Sequence, residues 1–125
     1  MATPTFVWNE LATPDVQKCR DFYTKLLGWT VKESPMGPDF SYYEWESDGK
    51  PIGGMYQIGG PGMENIPPHW MSYIGVESVD ETAARVAELG GTVKTPPMDI
   101  PNTGRFCVVQ DPGGATIAFF TPMAM

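Results

Sequence analysis

One histidine, two cysteines and a set of acidic residues are the side chains of this sequence that could do chemistry. His69 is the single histidine among 125 residues. No site within one chain can therefore use two imidazoles, which excludes the two-His-one-carboxylate iron site and the HExxH zinc site. Cys19 falls on the apolar stripe of a predicted helix and Cys107 in a predicted strand, so we expect both thiols to be inert core groups.

The charge balance excludes further classes of partner. Eight Lys and Arg residues stand against 15 Asp and Glu, a formal net charge of −7. Nucleic acids and anionic membrane surfaces both require clustered basic residues, so we expect neither as a partner. No apolar run approaches the roughly 18 residues of a membrane span, and residues 1–5 lack the pattern of a signal peptide. Two thiols fit a reducing compartment, and we expect a cytoplasmic protein.

An internal repeat organises the elements that must position these residues. A shift of 63 positions places Asp15 on Ser78 and Asp48 on Asp111. We therefore expect one domain over residues 1–125, with a first module at 1–58, a Gly- and Pro-rich linker at 59–68 and a second module at 69–125.

Each module shows the same order of periodic segments. In the first, Asp15 or Thr13 caps a helix that ends at Gly28, and Asp48-Gly49 forms a hairpin turn. In the second, Ser78 and Glu81 form a capping box. The predicted strands cover residues 6–11, 29–33, 40–46, 52–58, 69–76, 92–94, 105–110 and 116–120. The order is βαβββ twice. The Pro-containing segment 95–104 is interpreted either as a binding loop or as a stiff surface connection.

Three fragments carry a resemblance to a known family. The run from Asp15 through Phe22-Tyr23 to Leu27-Gly28 resembles the D-x6-F-Y-x3-L-G signature of the vicinal oxygen chelate superfamily, which includes glyoxalase I, the bleomycin resistance proteins and the extradiol dioxygenases. The stretch from Val79 to Gly91, which ends in Leu89-Gly90-Gly91, and the turn 111–114, which leads into Ile117, resemble its second module. The resemblance implies an α+β fold, in which two βαβββ modules form a cupped eight-stranded mixed sheet with helices on the outer face.

The resemblance also locates the metal ligands of metal-using relatives. They lie seven residues before each helix cap and about seven after the turn Asp. These positions hold Trp8, Met71, Met55 and Ala118. None has a carboxylate or an imidazole, so we expect no metal and no cofactor, with the two Met side chains as apolar pocket wall.

His69 lies two residues before Met71 and so shares its face of the strand. An alignment slip would make it a ligand, together with Glu10, Asp99 or Glu44. The favoured interpretation is a partly solvated side chain at the start of the strand, after Pro67-Pro68.

Glu10 is the candidate catalytic residue. It follows Trp8 by two residues, so both point into the predicted cup, where partial desolvation raises a carboxyl pKa and suits an acid, a base or an anchor for a cationic group. The alternative is a structural Glu paired with Arg105 or with a backbone N–H. By the same alternation, Tyr73 and Gln57 would offer hydrogen-bond donors to a ligand, or would satisfy interface groups instead.

These observations predict a metal-independent pocket for a small, partly apolar molecule. Its predicted lining comprises Trp8, Glu10, Met55, Gln57, Met71, Tyr73, Ala118 and Phe120. The pocket would bind its ligand or turn it over with Glu10. The alternatives are a divalent-metal lyase or dioxygenase related to glyoxalase I, and a structural module with a filled cup. The apolar tail at residues 119–123 and a free sheet edge favour a homodimer.

Overall fold

The computed structural model describes residues 3–38, 40–101 and 103–123. Its elements, in chain order, are β1 (Phe6–Thr13), α1 (Val16–Leu27), β2 (Thr30–Pro35), β3 (Ser41–Ser47), β4 (Lys50–Gln57), β5 (His69–Gly75), α2 (Val79–Val86), β6 (Thr92–Ile100), β7 (Gly104–Gln110) and β8 (Thr116–Pro122). A 3-10 turn, Ala87–Leu89, follows α2. The βαβββ order occurs twice, which confirms the predicted α+β class with an eight-stranded mixed sheet.

Two compact units divide the chain, one formed by Trp8–Met71 and the other by Met1–Val7 with Ser72–Met125. In the Trp8–Met71 unit the strand order is β2-β3-β4-β1, and β1 pairs parallel to β4. In the second unit the order is β5-β8-β7-β6, and β5 pairs parallel to β8. The remaining pairs in each unit are antiparallel. The two halves of the sequence therefore share one strand topology.

Helix α1 begins and ends where its sequence predicts. The Asp15 carboxylate accepts a hydrogen bond from the Lys18 backbone N–H at 3.0 Å and so caps the helix. Gly28 ends it in the left-handed conformation, at φ 79°. The apolar stripe is buried only in part, since Val16 is in the core whereas Phe22 and Leu26 are 57% and 63% exposed.

Each unit has its own core between the helix and the sheet. In the first, Leu11, Val16, Trp45 and Met55 are buried together. In the second, Val79, Cys107 and Val109 are buried together. Burial raises the pKa of the Cys107 thiol, and a thiol that stays protonated is a poor nucleophile.

The predicted loop at 95–104 is largely strand, which corrects the sequence interpretation. Strand β6 continues to Ile100, and its pairing with β7 shifts register between Val93 and Thr95 and again between Thr95 and Met98. Proline has no N–H to donate to a neighbouring strand, so it is tolerated in strands at edges and irregularities of this kind. Pro96 and Pro97 lie in the second of these irregular stretches.

An ion pair joins the first turn of α2 to β7. Arg105 donates to both carboxylate oxygens of Asp80, at 2.8 and 3.0 Å, and to Asp99 at 3.1 Å. The hydrogen bonds from Arg105 lower the pKa of Asp80.

Among the described residues, no helix is both long and apolar enough to cross a membrane.

Met55→Ala tests the core of the Trp8–Met71 unit. Met55 is fully buried, so the variant should lose about 2–5 kcal/mol of unfolding free energy through lost packing and a residual cavity. Met98, which is 49% exposed, provides the matched control. Met98→Ala should change the free energy of unfolding by about 0.5 kcal/mol or less. Urea denaturation measures both, and equal losses would contradict the assigned core.

Asp80→Asn tests the Arg105 ion pair through its pH dependence. Because the folded-state pKa of Asp80 is lowered, its contribution to stability is fully present above its unfolded pKa and is lost as pH falls through the folded value. The variant should be less stable than the parent at neutral pH. The difference in stability should disappear at a pH low enough to protonate the Asp80 carboxyl of the parent in both its folded and its unfolded state. Urea denaturation between pH 7 and pH 2 measures this. Asp21→Asn on the exposed surface of α1 is the control, and an identical pH profile for both variants would refute the assignment.

Candidate functional site

Strand β1 presents two different faces in the Trp8–Met71 unit. Leu11 points to the helix and lies in the core, so Trp8 and Glu10 point to the opposite face, because side chains alternate along a strand. The Trp8 Nε1–H donates to the Tyr42 hydroxyl at 2.9 Å, and that hydroxyl donates to Glu10 Oε2 at 2.6 Å. We call these three side chains the Trp8–Tyr42–Glu10 network. All three are half-buried, so one side of the network remains in contact with solvent.

Tyr42 reaches this position because Gly54 has no side chain. Gly54 lies directly opposite Glu10 in the β1–β4 pairing. A Cβ on Gly54 would stand 1.7 Å from the Tyr42 hydroxyl oxygen, far inside van der Waals contact. Sequence reasoning missed Tyr42, because the neighbours Tyr42 and Tyr43 are both aromatic and the pattern of β3 does not show which of them faces the helix.

Two tyrosines on this face keep their protons. Burial raises the pKa of Tyr42, and the negative charge of Glu10 raises it further. Burial and the charge of Glu10 also raise the pKa of Tyr56, and the Phe40 ring lies 6.4 Å from the Tyr56 ring. The face therefore combines aromatic surface with hydroxyl donors and a carboxylate.

Met55 and Gln57 lie on the other face of the sheet, contrary to the sequence prediction. Met55 is buried in the helix-side core. Gln57 holds the start of α1, since its Oε1 accepts from the Val16 N–H at 3.1 Å and its Nε2 donates to the carbonyls of Pro14 and Ile58. In the structure these two side chains therefore pack the core and hold the start of the helix.

A β-bulge in β4 explains why Met55 and Gln57 lie on the face opposite to the predicted one. Trp45 pairs with Gly53 and the next residue, Glu46, pairs with Pro51, so Ile52 is an extra residue on β4. One extra residue in a strand moves every later side chain of that strand to the opposite face of the sheet. Gly54 and Tyr56 consequently occupy the face that regular pairing would give to Met55. The adjacent glycines 53 and 54 were the available signal, because glycine within a strand often marks a bulge or a close approach.

The predicted site residues of the second unit share a face. Ile117 and Phe119 pack against the α2 core, which places Ala118 and Phe120 on the opposite side of β8. Tyr73 is directly opposite Ala118 in the β5–β8 pairing, and Ala118 is fully buried. Met71, in the Trp8–Met71 unit, is half-buried on β5.

His69 lies at the start of β5, with its Nδ1 2.8 Å from the carbonyl oxygen of Pro67. A carbonyl only accepts, so Nδ1 carries the proton of this hydrogen bond. Among residues 3–38, 40–101 and 103–123, no group of three or more His, Cys, Asp or Glu side chains is placed to hold a metal ion. Arg105, an alternative partner predicted for Glu10, binds Asp80 and Asp99.

Two hollows lie outside the Trp8–Tyr42–Glu10 network, and the predicted site residue Gln57 lines the second. One of about 450 Å³ lies along α2 and is bounded by side chains that include Val86, Leu89 and Phe119. Another of about 340 Å³ lies at the end of the β2–β3 hairpin, against Phe40 and Tyr43. The Trp8–Tyr42–Glu10 network remains the stronger candidate, because three polar groups converge there in a hydrogen-bonded array.

Solved structures share this fold at low sequence identity. A hypothetical protein, BH1468 from Bacillus halodurans, matches with a TM-score of 0.73 at 13% identity, and the alignment covers 99% of this chain and 98% of that one. A Streptomyces coelicolor methylmalonyl-CoA epimerase matches with a TM-score of 0.70 at 17% identity, covering 97% and 96%. These likenesses establish the fold.

Curated relatives are more similar in sequence. CFP32 of Mycobacterium tuberculosis, which carries a glyoxylase name, is 35% identical over 120 residues, covering 96% of this chain and 45% of that protein. The anthracycline biosynthesis protein DnrV of Streptomyces peucetius is 35% identical over 122 residues, covering 89% and 44%. The chain thus spans a little under half the length of these relatives.

The family assignment follows from the sequence match over almost the whole chain. The model of the Glyoxalase/Bleomycin resistance protein/Dioxygenase superfamily matches residues 5–119, which run from the start of the first βαβββ module into the last strand of the second. The predicted family resemblance is confirmed, and the chain belongs to the Glyoxalase/Bleomycin resistance protein/Dioxygenase superfamily.

Proposed function

We propose that this chain binds a small, partly apolar molecule, and that it does so without a metal ion. The observation that carries the proposal is the Trp8–Tyr42–Glu10 network, in which a carboxylate and a phenol are held by hydrogen bonds on a solvent-accessible aromatic face. Small-molecule sites combine apolar and aromatic lining with a few placed polar groups in this way.

Different side chains of the network supply different contacts to the ligand. The rings of Trp8, Tyr42 and Tyr56 supply apolar contact, and aromatic rings favour offset or edge contacts with a planar ligand. The Glu10 carboxylate orients the ligand. Tyr73, Met71, Ala118 and Phe120 remain predicted ligand contacts.

The names of the relatives support a small-molecule role and suggest a probe. DnrV is named for anthracycline biosynthesis, and anthracyclines present the planar ring system that an aromatic face would bind. The matched relatives are more than twice as long as the matched region. An activity of one of those whole proteins is therefore a proposal for this chain.

Metal independence rests on the side chains at the positions where metal-using relatives carry ligands. Trp8, Met71 and Ala118 have no hard oxygen or imidazole donor. Met55, the fourth predicted position, lies in the core, and Gly54, which takes its place on the open face, has no side chain. If the site also turns over its ligand, Glu10 is the proposed catalytic residue. Homodimer assembly and a cytoplasmic location remain part of the proposal.

Glu10→Gln should weaken binding of a planar aromatic probe, here doxorubicin, measured by isothermal titration calorimetry. Replacing the carboxylate by an amide removes a charged acceptor, which should reduce the binding free energy by about 1.5–3 kcal/mol. Glu33→Gln is the matched control, because Glu33 is an exposed residue of β2, and it should leave the affinity unchanged. Equal effects of the two variants would place the ligand elsewhere.

Purified protein should contain far less than one equivalent of transition metal by elemental analysis. Its melting temperature should also stay constant when Zn²⁺ or Ni²⁺ is added in excess, since an ion that binds the folded state stabilises it by mass action. Stoichiometric metal, or a melting temperature that rises with ion concentration, would instead support a divalent-metal lyase or dioxygenase.

A further inference from the structure

The hydrogen bonds of the Trp8–Tyr42–Glu10 network have a fixed direction. An indole N–H can only donate, so the Tyr42 oxygen must accept from Trp8 across their 2.9 Å contact. The Tyr42 hydroxyl has one proton, and Glu10 Oε2 lies 2.6 Å from it, within the range of hydrogen bonds to an ionised oxygen. The proton order therefore runs from Trp8 through Tyr42 to Glu10.

The surroundings preserve this direction. The pKa of the Tyr42 phenol is raised by burial and then by the charge of Glu10, so Tyr42 remains a donor at neutral pH. Hydrogen bonds in a chain polarise one another, so the indole donor strengthens the bond from Tyr42 to the carboxylate. The same hydrogen bond makes Glu10 Oε2 the acceptor at the end of the chain.

The absence of a side chain at Gly54 permits the same contact. Gly54, opposite Glu10 in the sheet, leaves the space that the Tyr42 hydroxyl occupies, since a Cβ there would stand 1.7 Å from that oxygen. Glu44 adds a second negative charge that acts on Tyr42, and Lys32 of β2 lies opposite Glu44 in the register. Glu10, Glu44 and Lys32 therefore lie on the same face of the sheet.

We propose that this proton order makes Glu10 a fixed anionic acceptor, and that the site consequently selects ligands carrying a cationic amine over ligands carrying a carboxylate. This inference rests on the proposed function and specifies its ligand class. Trp8 and Tyr42 are then positioning residues. An anionic group would meet Glu10 as a like charge, which is a strong element of discrimination. A protonated amine beside aromatic rings gains charge pairing and cation–π attraction together.

A ligand-free measurement tests the proton order. The side-chain N–H signal of Trp8, assigned by its loss in Trp8→Phe, should shift in Tyr42→Phe, which removes its acceptor with little change in shape. Gly54→Ala keeps all three side chains but fills the space of the hydroxyl, and it should shift the same signal. Circular dichroism confirms folding of each variant. A Trp8 signal unmoved in Tyr42→Phe would overturn the inference.

A matched pair of probes then tests the selectivity, with affinities read from NMR titration. In the parent chain 2-phenylethylamine should bind about tenfold more tightly than 3-phenylpropanoate. The preference should fall in Tyr42→Phe and disappear or reverse in Glu10→Gln, whereas Glu33→Gln should retain it. Equal binding of the two probes to the parent would overturn the inference and leave the proposed function standing. Binding of neither probe at millimolar concentration would contradict both.

Discussion

The parallel pairing of β1 with β4 is the constraint on which both the core and the candidate site of the Trp8–Met71 unit depend. It places Leu11 beside Met55 on the helix side and Glu10 beside Gly54 on the other. A slip of one residue would exchange these faces. The buried Leu11 and Met55 hold the register, because exposing them would lose the hydrophobic free energy of two large side chains. Core packing therefore fixes where Glu10 points.

The second unit repeats this arrangement with different side chains. The parallel pair β5–β8 places Tyr73 beside Ala118, while Ile117 and Phe119 pack on the helix side. The start of each helix is held by a residue near the end of the unit's last strand. Gln57 accepts from the Val16 N–H in one unit, and Thr121 accepts from the Val79 N–H in the other. The repeat thus preserves the scaffold, whereas the residues of the open faces differ.

Local chemistry made most of the fold predictable from the sequence. The caps at Asp15 and Ser78 and the left-handed Gly28 mark helix ends through interactions within a few residues. The site was only partly predictable. Glu10 and Trp8 follow from alternation along one strand, but Met55 and Gln57 depend on the whole hairpin, where the extra residue Ile52 reverses the faces. Pairing between strands decides such irregularities, and the pattern of one strand does not display them.

The two adjacent glycines of β4 show how the site restricts the sequence. A Cβ on Gly53 would lie 2.6 Å from the backbone oxygen of Asn9, so this glycine serves the close approach of β4 to β1. A Cβ on Gly54 would meet a side chain, the phenol of Tyr42. Glycine in a strand costs about 0.5–1 kcal/mol relative to alanine. A side chain at position 54 would displace the Tyr42 hydroxyl, so glycine there preserves the hydrogen bond from Tyr42 to Glu10.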